Sequence, residues 1–308
     1  MWRYLLKKVL QVPITLFLLI TISFFMIRLT PGGPFSDERN LDPDIEAAMK
    51  EQYHLDKPLL TQYTYFLGNL IQGDLGPSFK HKARTVNEII KETLPPSIIF
   101  GSIAYLLALT IGIGLGMISA LYHQKIADGF SMTLVLLGMS IPTFVIGPIL
   151  QLIFSVMWKF FPLAGYEGFS SISYLILPSI TLAAPFAARI ARLTRSGVLE
   201  VIHQDYVRTA RAKGLAEKAV LIHHVLRGAL LPVVSFTGPA LAQILTGSLV
   251  IEKVFQIPGL GREFIEAALN RDYTLVMGTV IVYGAFIVAC NLIADIAYAL
   301  LDPRVEME

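Results

Sequence analysis

The sequence has few charged residues and a single cysteine. Only 16% of its 308 residues are Asp, Glu, Lys or Arg, whereas soluble domains carry about 25%. The net charge of +2 provides no basic surface of the kind that nucleic-acid binding requires. The lone Cys290 cannot form an intrachain disulfide, and its apolar surroundings indicate a packing role. With 54% hydrophobic residues and a mean hydropathy of +0.62, the composition is that of a membrane protein.

The sequence also lacks the patterns on which many enzymes depend. No G-x-x-x-x-G-K-[ST] loop is present, which excludes nucleotide hydrolysis by that route. The histidines form no metal-ligand set and no catalytic spacing, and the adjacent His223 and His224 point in different directions on a helix. In GIGIGLG, Gly112 and Gly116 share one helical face within an apolar run, which favours helix packing over dinucleotide binding.

Six segments are long and apolar enough to cross a bilayer, which takes about 20 residues. Pro142 lies in the third segment, and Pro178 and Pro185 interrupt the fourth. We expect breaks at these prolines, which membranes tolerate only where protein or a water-filled cavity covers the freed backbone groups. The segments are Val9–Ile27, Ser97–Leu121, Phe130–Met157, Ile172–Ile190, Ala229–Ile251 and Thr274–Leu301.

The N-terminus and the loop charges predict the orientation. The apolar run after the basic start is longer than the roughly 7–15 residues of a signal peptide, and no small-x-small cleavage site follows. We therefore expect a retained first helix, with a cleaved signal peptide as the alternative. If the N-terminus is cytoplasmic, only Lys159, Lys253, Arg262 and Arg271 fall in short external loops. The positive-inside rule then predicts that both chain ends are cytoplasmic.

The predicted spans divide the chain into four parts. The loop after the first span is long enough to form a small external subdomain, and Pro43–Tyr53 within it has a helical pattern. The parts are the cytoplasmic N-terminus with the first helix (1–29), the external subdomain (30–96), a five-helix core (97–301) that contains the cytoplasmic segment 191–228, and a cytoplasmic C-terminus (302–308).

Few polar residues lie within the predicted spans. Asp295 and Asn291, one turn apart on the same face, form a candidate polar interhelical site. A charge at membrane depth indicates function by default, but one carboxylate makes a poor proton relay, so contact between helices is the favoured interpretation. A second group of residues within the predicted spans has two equal interpretations, which are lining of a translocation pathway and polar contacts between helices. Its members are Pro142, Gln243, Thr246 and Ser248.

A basic segment, DYVRTARAKGLAEKAVLIHHVL, separates the fourth and fifth spans. Gly214 is predicted to end a helix in the left-handed backbone conformation that glycine adopts easily. Before it, Tyr206 and Ala210 share a face, and after it an apolar stripe runs from Ile222 to Ala229. We therefore expect two short amphipathic helices on the cytoplasmic side. The small residues at the tip favour a plug for a partner protein over a lipid-bound helix, which would carry Trp, Phe or Leu.

The stretch YVRTARAKG, followed by ALLP at Ala229–Pro232, resembles the cytoplasmic loop of permease subunits of binding-protein-dependent ABC importers. That loop begins with Glu-Ala-Ala, where this chain has Arg208-Thr209-Ala210, and continues to a Gly and a Leu-Pro. The longer spacing from Gly214 to Pro232 resembles the peptide-transporting branch. Further motifs, in order, resemble the B-type permease of oligopeptide importers over the whole chain. They are LTPGGPF, YHLDKPLLTQY, GDLGPSF, EKVFQIPGLG, ALNRDY and LDPR.

The resemblance implies an all-α polytopic protein of the bacterial inner membrane, with six transmembrane helices in the type I ABC importer permease fold. It implies a distinct sister permease, an external peptide-binding protein, and two cytoplasmic ATPases that bind ATP and Mg²⁺, while this chain binds no cofactor or metal. The cytoplasmic loop would be a coupling helix docked on one ATPase. The coupling residues would be Tyr206, Arg208, Thr209, Ala210, Arg211, Ala212, Lys213 and Gly214.

Several alternatives to oligopeptide import stay open. Within the family they are import of dipeptides, nickel or glutathione, although ERNLDP and GPSFKHK favour oligopeptides. A secondary transporter or channel predicts paired intramembrane charges, an inverted repeat or a filter-like segment. An intramembrane enzyme requires a catalytic set. The sequence favours neither of these two classes.

Overall fold

The computed structural model describes residues 2–30, 51, 54–81, 83–168, 172–246 and 249–301. Within these residues the chain is helical, apart from loops and one isolated bridge between Pro77 and Thr85. The all-α prediction is therefore confirmed. The helix predicted over Pro43–Tyr53 and the C-terminus 302–308 lie outside the described residues, except for Glu51, which is helical.

The helices are numbered in chain order. Two of them contain a wider, π-helical turn: α5 continues as a π-helix over Gln151–Met157, and α8 includes one at Val220–Val225. The helices are α1 (Trp2–Leu29), α2 (Leu59–Ile71), α3 (Val86–Leu121), α4 (Ile126–Ser140), α5 (Thr143–Leu150), α6 (Ser173–Val201), α7 (Asp205–Ala212), α8 (Glu217–Ala229), α9 (Leu231–Thr246), α10 (Leu249–Phe255), α11 (Leu260–Leu269) and α12 (Tyr273–Leu301).

Among the described residues, four helices are each long and apolar enough to cross a membrane: α1, α3, α6 and α12. Two further candidate spans are bent pairs: α4 meets α5 at 111°, and α8 meets α9 at 58°. Counting each bent pair as one span gives six, the number predicted. The break expected at Pro142 is confirmed, because the third span turns sharply there. The span predicted over Ala229–Ile251 differs from the prediction, because the chain there forms α9 and the separate helix α10.

The breaks expected at Pro178 and Pro185 are wrong. Helix α6 runs without interruption through both prolines. Proline removes one intrahelical hydrogen bond, but a membrane helix tolerates it where protein covers the freed groups. That condition holds here, because Pro178 and most of its neighbours are buried. Pro142, by contrast, stands before the first residue of α5 with the extended backbone angles φ −59° and ψ 143°.

The helix that contains the second span begins earlier than predicted. Thr85 and Glu88 form a reciprocal cap, in which the Glu88 N–H donates to Thr85 Oγ1 at 3.3 Å and the Thr85 N–H donates to Glu88 Oε2 at 3.0 Å. This capping box starts α3 at Val86. Residues 86–96, assigned from sequence to the external subdomain, are therefore continuous with the helix that crosses the membrane.

Helices α3 and α6 pack closely through glycine. A methyl group at Gly112 would lie 2.7 Å from the Ala187 carbonyl oxygen, and one at Gly116 would lie 2.5 Å from the Ala191 oxygen. A methyl group at Gly114 would meet nothing within 4 Å. The predicted packing role of GIGIGLG is thus confirmed. The resulting core is apolar and includes Phe100, Ala104, Ala108, Leu175, Ala187 and Ile190.

The outer surface is apolar over much of its area. Met26 on α1 is 66% exposed and Phe130 on α4 is 66% exposed. Exposed apolar side chains on this scale are typical of a surface that meets lipid or another membrane subunit. Helix α7, which lies between α6 and α9, is at one end of the membrane helices, and α2, which follows α1, is at the opposite end. These two ends are called the α7 end and the α2 end.

Candidate functional site

The segment between α6 and α9 forms a compact hairpin at the α7 end. Helix α7 ends at Ala212, and Gly214 follows with a φ of +77°, in the left-handed region that glycine adopts without strain. Arg211 closes the turn by donating from Nη2 to Glu217 Oε1 at 2.7 Å and from Nε to Glu217 Oε2 at 3.1 Å. These hydrogen bonds raise the pKa of Arg211 above its usual value. The two helices and the turn at Gly214 are as predicted. The predicted apolar stripe is wrong at Ile222, which is exposed while Val225 and Ala229 are buried, because the π-helical turn at Val220–Val225 shifts the faces of the helix.

The inner face of α7 is anchored to the membrane helices. Val207 and Ala210 are buried in an apolar cluster with Ala120 of α3 and Val198 of α6. Their spacing of three residues places them on one side of the helix. The inward pair is thus Val207 with Ala210, whereas Tyr206, expected on the same face as Ala210, is about half exposed.

The outer face of α7 and its turn is exposed. Ala210 is the one predicted coupling residue that is buried, so it supports the hairpin from within. Arg208 lies 3.6 Å from Asp205 in an exposed ion pair. The surface combines small side chains with cationic ones and has no arrangement suited to covalent chemistry. Its exposed members are Tyr206, Arg208, Thr209, Arg211, Ala212, Lys213 and Gly214.

A buried carboxylate lies beside this hairpin, in the first turn of α4. Asp128 accepts hydrogen bonds from Ser119 Oγ at 2.5 Å, from the Gln124 N–H at 3.0 Å, and from Arg195 through Nε and Nη2, each at 3.1 Å. His123 Nδ1 lies 3.1 Å from the same carboxylate. Sequence reasoning missed this cluster. The available signal was an acidic residue in the first turn of a span, a common and unspecific feature.

At the α2 end, the motif EKVFQIPGLG folds around its own acid. Glu252 is only 1% exposed and accepts hydrogen bonds from Ser97 Oγ at 2.8 Å and from the Arg262 N–H at 2.9 Å. Gly259 and Gly261 leave the space that the carboxylate occupies, since a methyl group at either position would clash with it. The sequence singled out the motif without assigning a role to Glu252, which joins α10, α11 and α3.

Two other quoted motifs meet at Asp272. This residue of ALNRDY accepts a hydrogen bond from the hydroxyl of Ser78 in GDLGPSF, and one from the Phe79 N–H at 3.2 Å. It also accepts from the Leu275 N–H at 3.1 Å, which caps the start of α12. One buried acid therefore connects the loop after α2 to the last membrane helix.

The candidate polar site on α12 has a partner on α1. Lys8 Nζ lies 2.9 Å from Asp295 Oδ2, and both side chains are about one-third exposed. Asn291 lines the same cavity of about 180 Å³ as this pair. The structure therefore places Asp295 in an interhelical ion pair.

The candidate pathway residues are less completely placed. Pro142 lies exposed at the bend between α4 and α5, and Gln243 is exposed on α9. Thr246 is the last residue of α9, but its side chain and Ser248 lie outside the described residues. Pathway lining stays a prediction for all four. In the part of the chain that the structure describes, no group of three or more His, Cys, Asp or Glu residues could hold a metal ion.

The arrangement of the membrane helices has a counterpart in a known fold. Among solved structures, the chain resembles one from the inward-facing MetNI methionine ABC transporter, with a TM-score of 0.54 and 17% sequence identity. The match covers 70% of this chain and 96% of that chain. This likeness shows the fold.

Family profiles and full-length relatives give the particular family. The profile "binding-protein-dependent transport system inner membrane component" matches residues 112–307, and its N-terminal counterpart matches residues 1–100. The chain is 43% identical to the oligopeptide transport system permease protein OppB of Escherichia coli K12, over 99% of both chains. It is 40% identical to the dipeptide transport system permease protein DppB of Bacillus subtilis 168, over 100% of this chain and 99% of that protein. The chain therefore belongs to the family of binding-protein-dependent ABC transporter permeases and is a multi-pass protein of the inner membrane.

Proposed function

We propose that this chain is a permease subunit of an ATP-driven peptide importer and forms half of its translocation pathway. Similarity over the full length to permeases named for oligopeptide and dipeptide transport supports the peptide substrate. The observation that carries the coupling role is the hairpin at α7, which is anchored on its inner face and exposed on its outer face.

The proposed complex contains a distinct sister permease, two cytoplasmic ATPases, and an external binding protein that delivers peptide. ATP and Mg²⁺ bind to the ATPases, and this chain hydrolyses nothing and binds no cofactor. The α7 end is then cytoplasmic and the α2 end external, so both chain ends lie in the cytoplasm. The positive-inside rule supports this orientation, because Arg208, Arg211, Lys213 and Lys218 fall on the α7 side.

Coupling is mechanical in this proposal. ATP binding closes the ATPase pair and displaces the groove that holds the outer face of α7. Because Val207 and Ala210 pack against Ala120 and Val198, α7 moves together with the ends of α3 and α6. Packed elements of this kind pass on rigid-body motion with little deformation. The pathway opens outward, receives peptide from the binding protein, and reopens inward after hydrolysis.

Pull-down of the detergent-solubilised chain from its host tests the coupling role. Replacing Thr209–Gly214 by a Gly/Ser linker is expected to abolish recovery of the ATPases and to retain the sister permease. The charge reversals Arg208→Glu and Lys213→Glu are expected to weaken recovery, whereas Lys125→Glu, an exposed cation in the α3–α4 turn, serves as the matched control. If the wild type is recovered alone and moves solute in liposomes without ATP, a secondary transporter replaces this proposal.

Uptake by the reconstituted complex tests the substrate. We expect ATP-dependent accumulation of labelled oligopeptides that requires the binding protein. Unlabelled dipeptide, Ni²⁺ and glutathione serve as competitors, because each represents an alternative within the family. Complete competition by one of them, with none by longer peptides, would assign that substrate instead. Peptides share a uniform backbone, so we expect side-chain selectivity to come mainly from the binding protein.

A further inference from the structure

The Asp128 cluster lies between the coupling hairpin and the bent span. Asp128 is in the first turn of α4, whose other end bends by 111° into α5 near Pro142. Arg195 is near the end of α6, which leads within a few residues into α7. The pair therefore connects the helix that enters the coupling segment with the first half of the bent span.

The geometry of the pair fixes the relative orientation of the two helices. Arg195 donates from Nε to Asp128 Oδ1 and from Nη2 to Asp128 Oδ2, which is the two-pronged arrangement of a planar guanidinium on a carboxylate. Asp128 is 7% exposed, so water offers little competition for these bonds. The Ser119 hydroxyl and the Gln124 N–H also donate hydrogen bonds to the Asp128 carboxylate. These bonds connect the end of α3 to the same carboxylate.

Packing makes the ends of α3, α4 and α6 one unit. A methyl group at Gly116 of α3 would lie 3.1 Å from the Arg195 backbone nitrogen, which shows how closely the two helices approach. One turn beyond Arg195, Val198 is buried against Val207 of α7. Contacts thus run without a gap from α7, through α6, to Asp128 and α4.

We propose that Asp128 is a positioning residue for transport. Through Arg195 it makes α4 follow the movement of α7, so that docking at the ATPase changes the bend at Pro142. This inference rests on the proposed function, since it requires that α7 docks on an ATPase. Asp128 touches neither peptide nor nucleotide in this role. A purely structural role would change the amount of complex, whereas a positioning role changes the peptide moved per ATP hydrolysed.

The variant Asp128→Asn tests the proposal, because the amide keeps the size of the side chain and removes its charge. In the reconstituted complex we expect ATP hydrolysis to persist, while peptide uptake per ATP falls about tenfold. Arg195→Lys keeps the charge but loses the two-pronged geometry, and we expect a smaller loss in the same ratio. The matched control is Glu92→Gln, which removes the exposed external ion pair with Arg84 and should leave the ratio unchanged.

Each outcome either supports or overturns the positioning role. Uptake per ATP at the wild-type level in Asp128→Asn overturns it, and so does a loss of uptake that only matches a loss of assembled complex. If Asp128→Asn assembles too poorly to measure, the ratio in Arg195→Lys decides by the same criterion. A wild-type chain that binds no ATPase contradicts the proposed function itself, and the pull-down detects that separately.

Discussion

Lys8 and Asp295 join the first and last membrane helices through an ion pair of 2.9 Å at the α7 end. Because both side chains are about one-third exposed, we expect the pair to contribute about 1 kcal/mol or less to the free energy of unfolding. Lys8→Asp and Asp295→Lys should each lower the melting temperature in detergent, and the double exchange should recover most of the loss. Fully additive losses would show that the two charges do not interact.

The close contact of Gly116 in α3 with α6 can be tested against Gly114, a control residue in the same helix. Gly116→Val places carbon atoms against the Ala191 oxygen and Thr194, and overpacking of this kind costs about 1–3 kcal/mol. Gly114→Val lies two residues away on the open side of α3 and should cost far less. Chemical unfolding of both variants in the same detergent measures the difference. Equal losses of unfolding free energy in the two variants would mean that the helix propensity of valine, and not overpacking, causes the destabilisation.

Asp272 should be essential for the α2 end. Asp272→Ala removes the carboxylate that accepts hydrogen bonds from the Ser78 hydroxyl and from the Phe79 and Leu275 N–H groups, for a loss of about 3 kcal/mol. Asp74→Ala, in the same motif as Ser78, removes only an exposed hydrogen bond that the Gly76 N–H donates to Asp74 Oδ1 and should cost about 1 kcal/mol or less. Chemical unfolding compares the two variants. A smaller loss for Asp272→Ala than for Asp74→Ala would contradict the assignment.

We expect the stability of the folded chain to depend on pH through the carboxyl group of Glu263. Burial, followed by repulsion from Glu266, raises the pKa of the Glu263 carboxyl above 4.5, while His81 at 3.8 Å and Arg262 act in the opposite direction. A raised pKa means that the folded state binds the proton more tightly, so the ionised carboxylate lowers stability above that pKa. Glu263→Gln should therefore raise the melting temperature at pH 8, and this gain should shrink as the pH falls toward 4.5.

The control for Glu263 is Glu266→Gln, which removes the ion pair with Arg262 at 2.9 Å and should bring no gain at pH 8. Melting curves of the two variants and the wild type at several pH values decide the matter. A gain for Glu263→Gln that grows toward acid pH would have the wrong sign and would refute the burial argument.

Local patterns in the sequence predicted much of the fold. Apolar length gave the number of spans, the four-residue spacing of Gly112 and Gly116 gave a helix contact, and Gly214 gave the turn after α7. These features depend on residues close together in the chain. The effect of proline was misjudged at Pro178 because it depends on what covers the helix, which no local pattern records.

The polar clusters were not predictable in the same way. Ser97 and Glu252 are 155 residues apart, and Asp128 and Arg195 are 67 apart, so nothing in either local sequence identifies the partner. The motif EKVFQIPGLG was recognised by its resemblance to a family, and only the fold shows that its glycines make room for a carboxylate. Ala210 illustrates the same limit within the site, because its burial follows from the helices against which α7 packs.

The most direct test of the account is photo-crosslinking from the outer face of α7 in the intact cell. A photoreactive amino acid at the exposed position Thr209 should crosslink to an ATPase subunit, and one at the exposed Asp56, at the α2 end, should not. That result would establish both the docking surface and the cytoplasmic orientation of α7. A complex that imports peptide with ATP while Thr209 crosslinks to no ATPase, or while Asp56 does, would contradict the account.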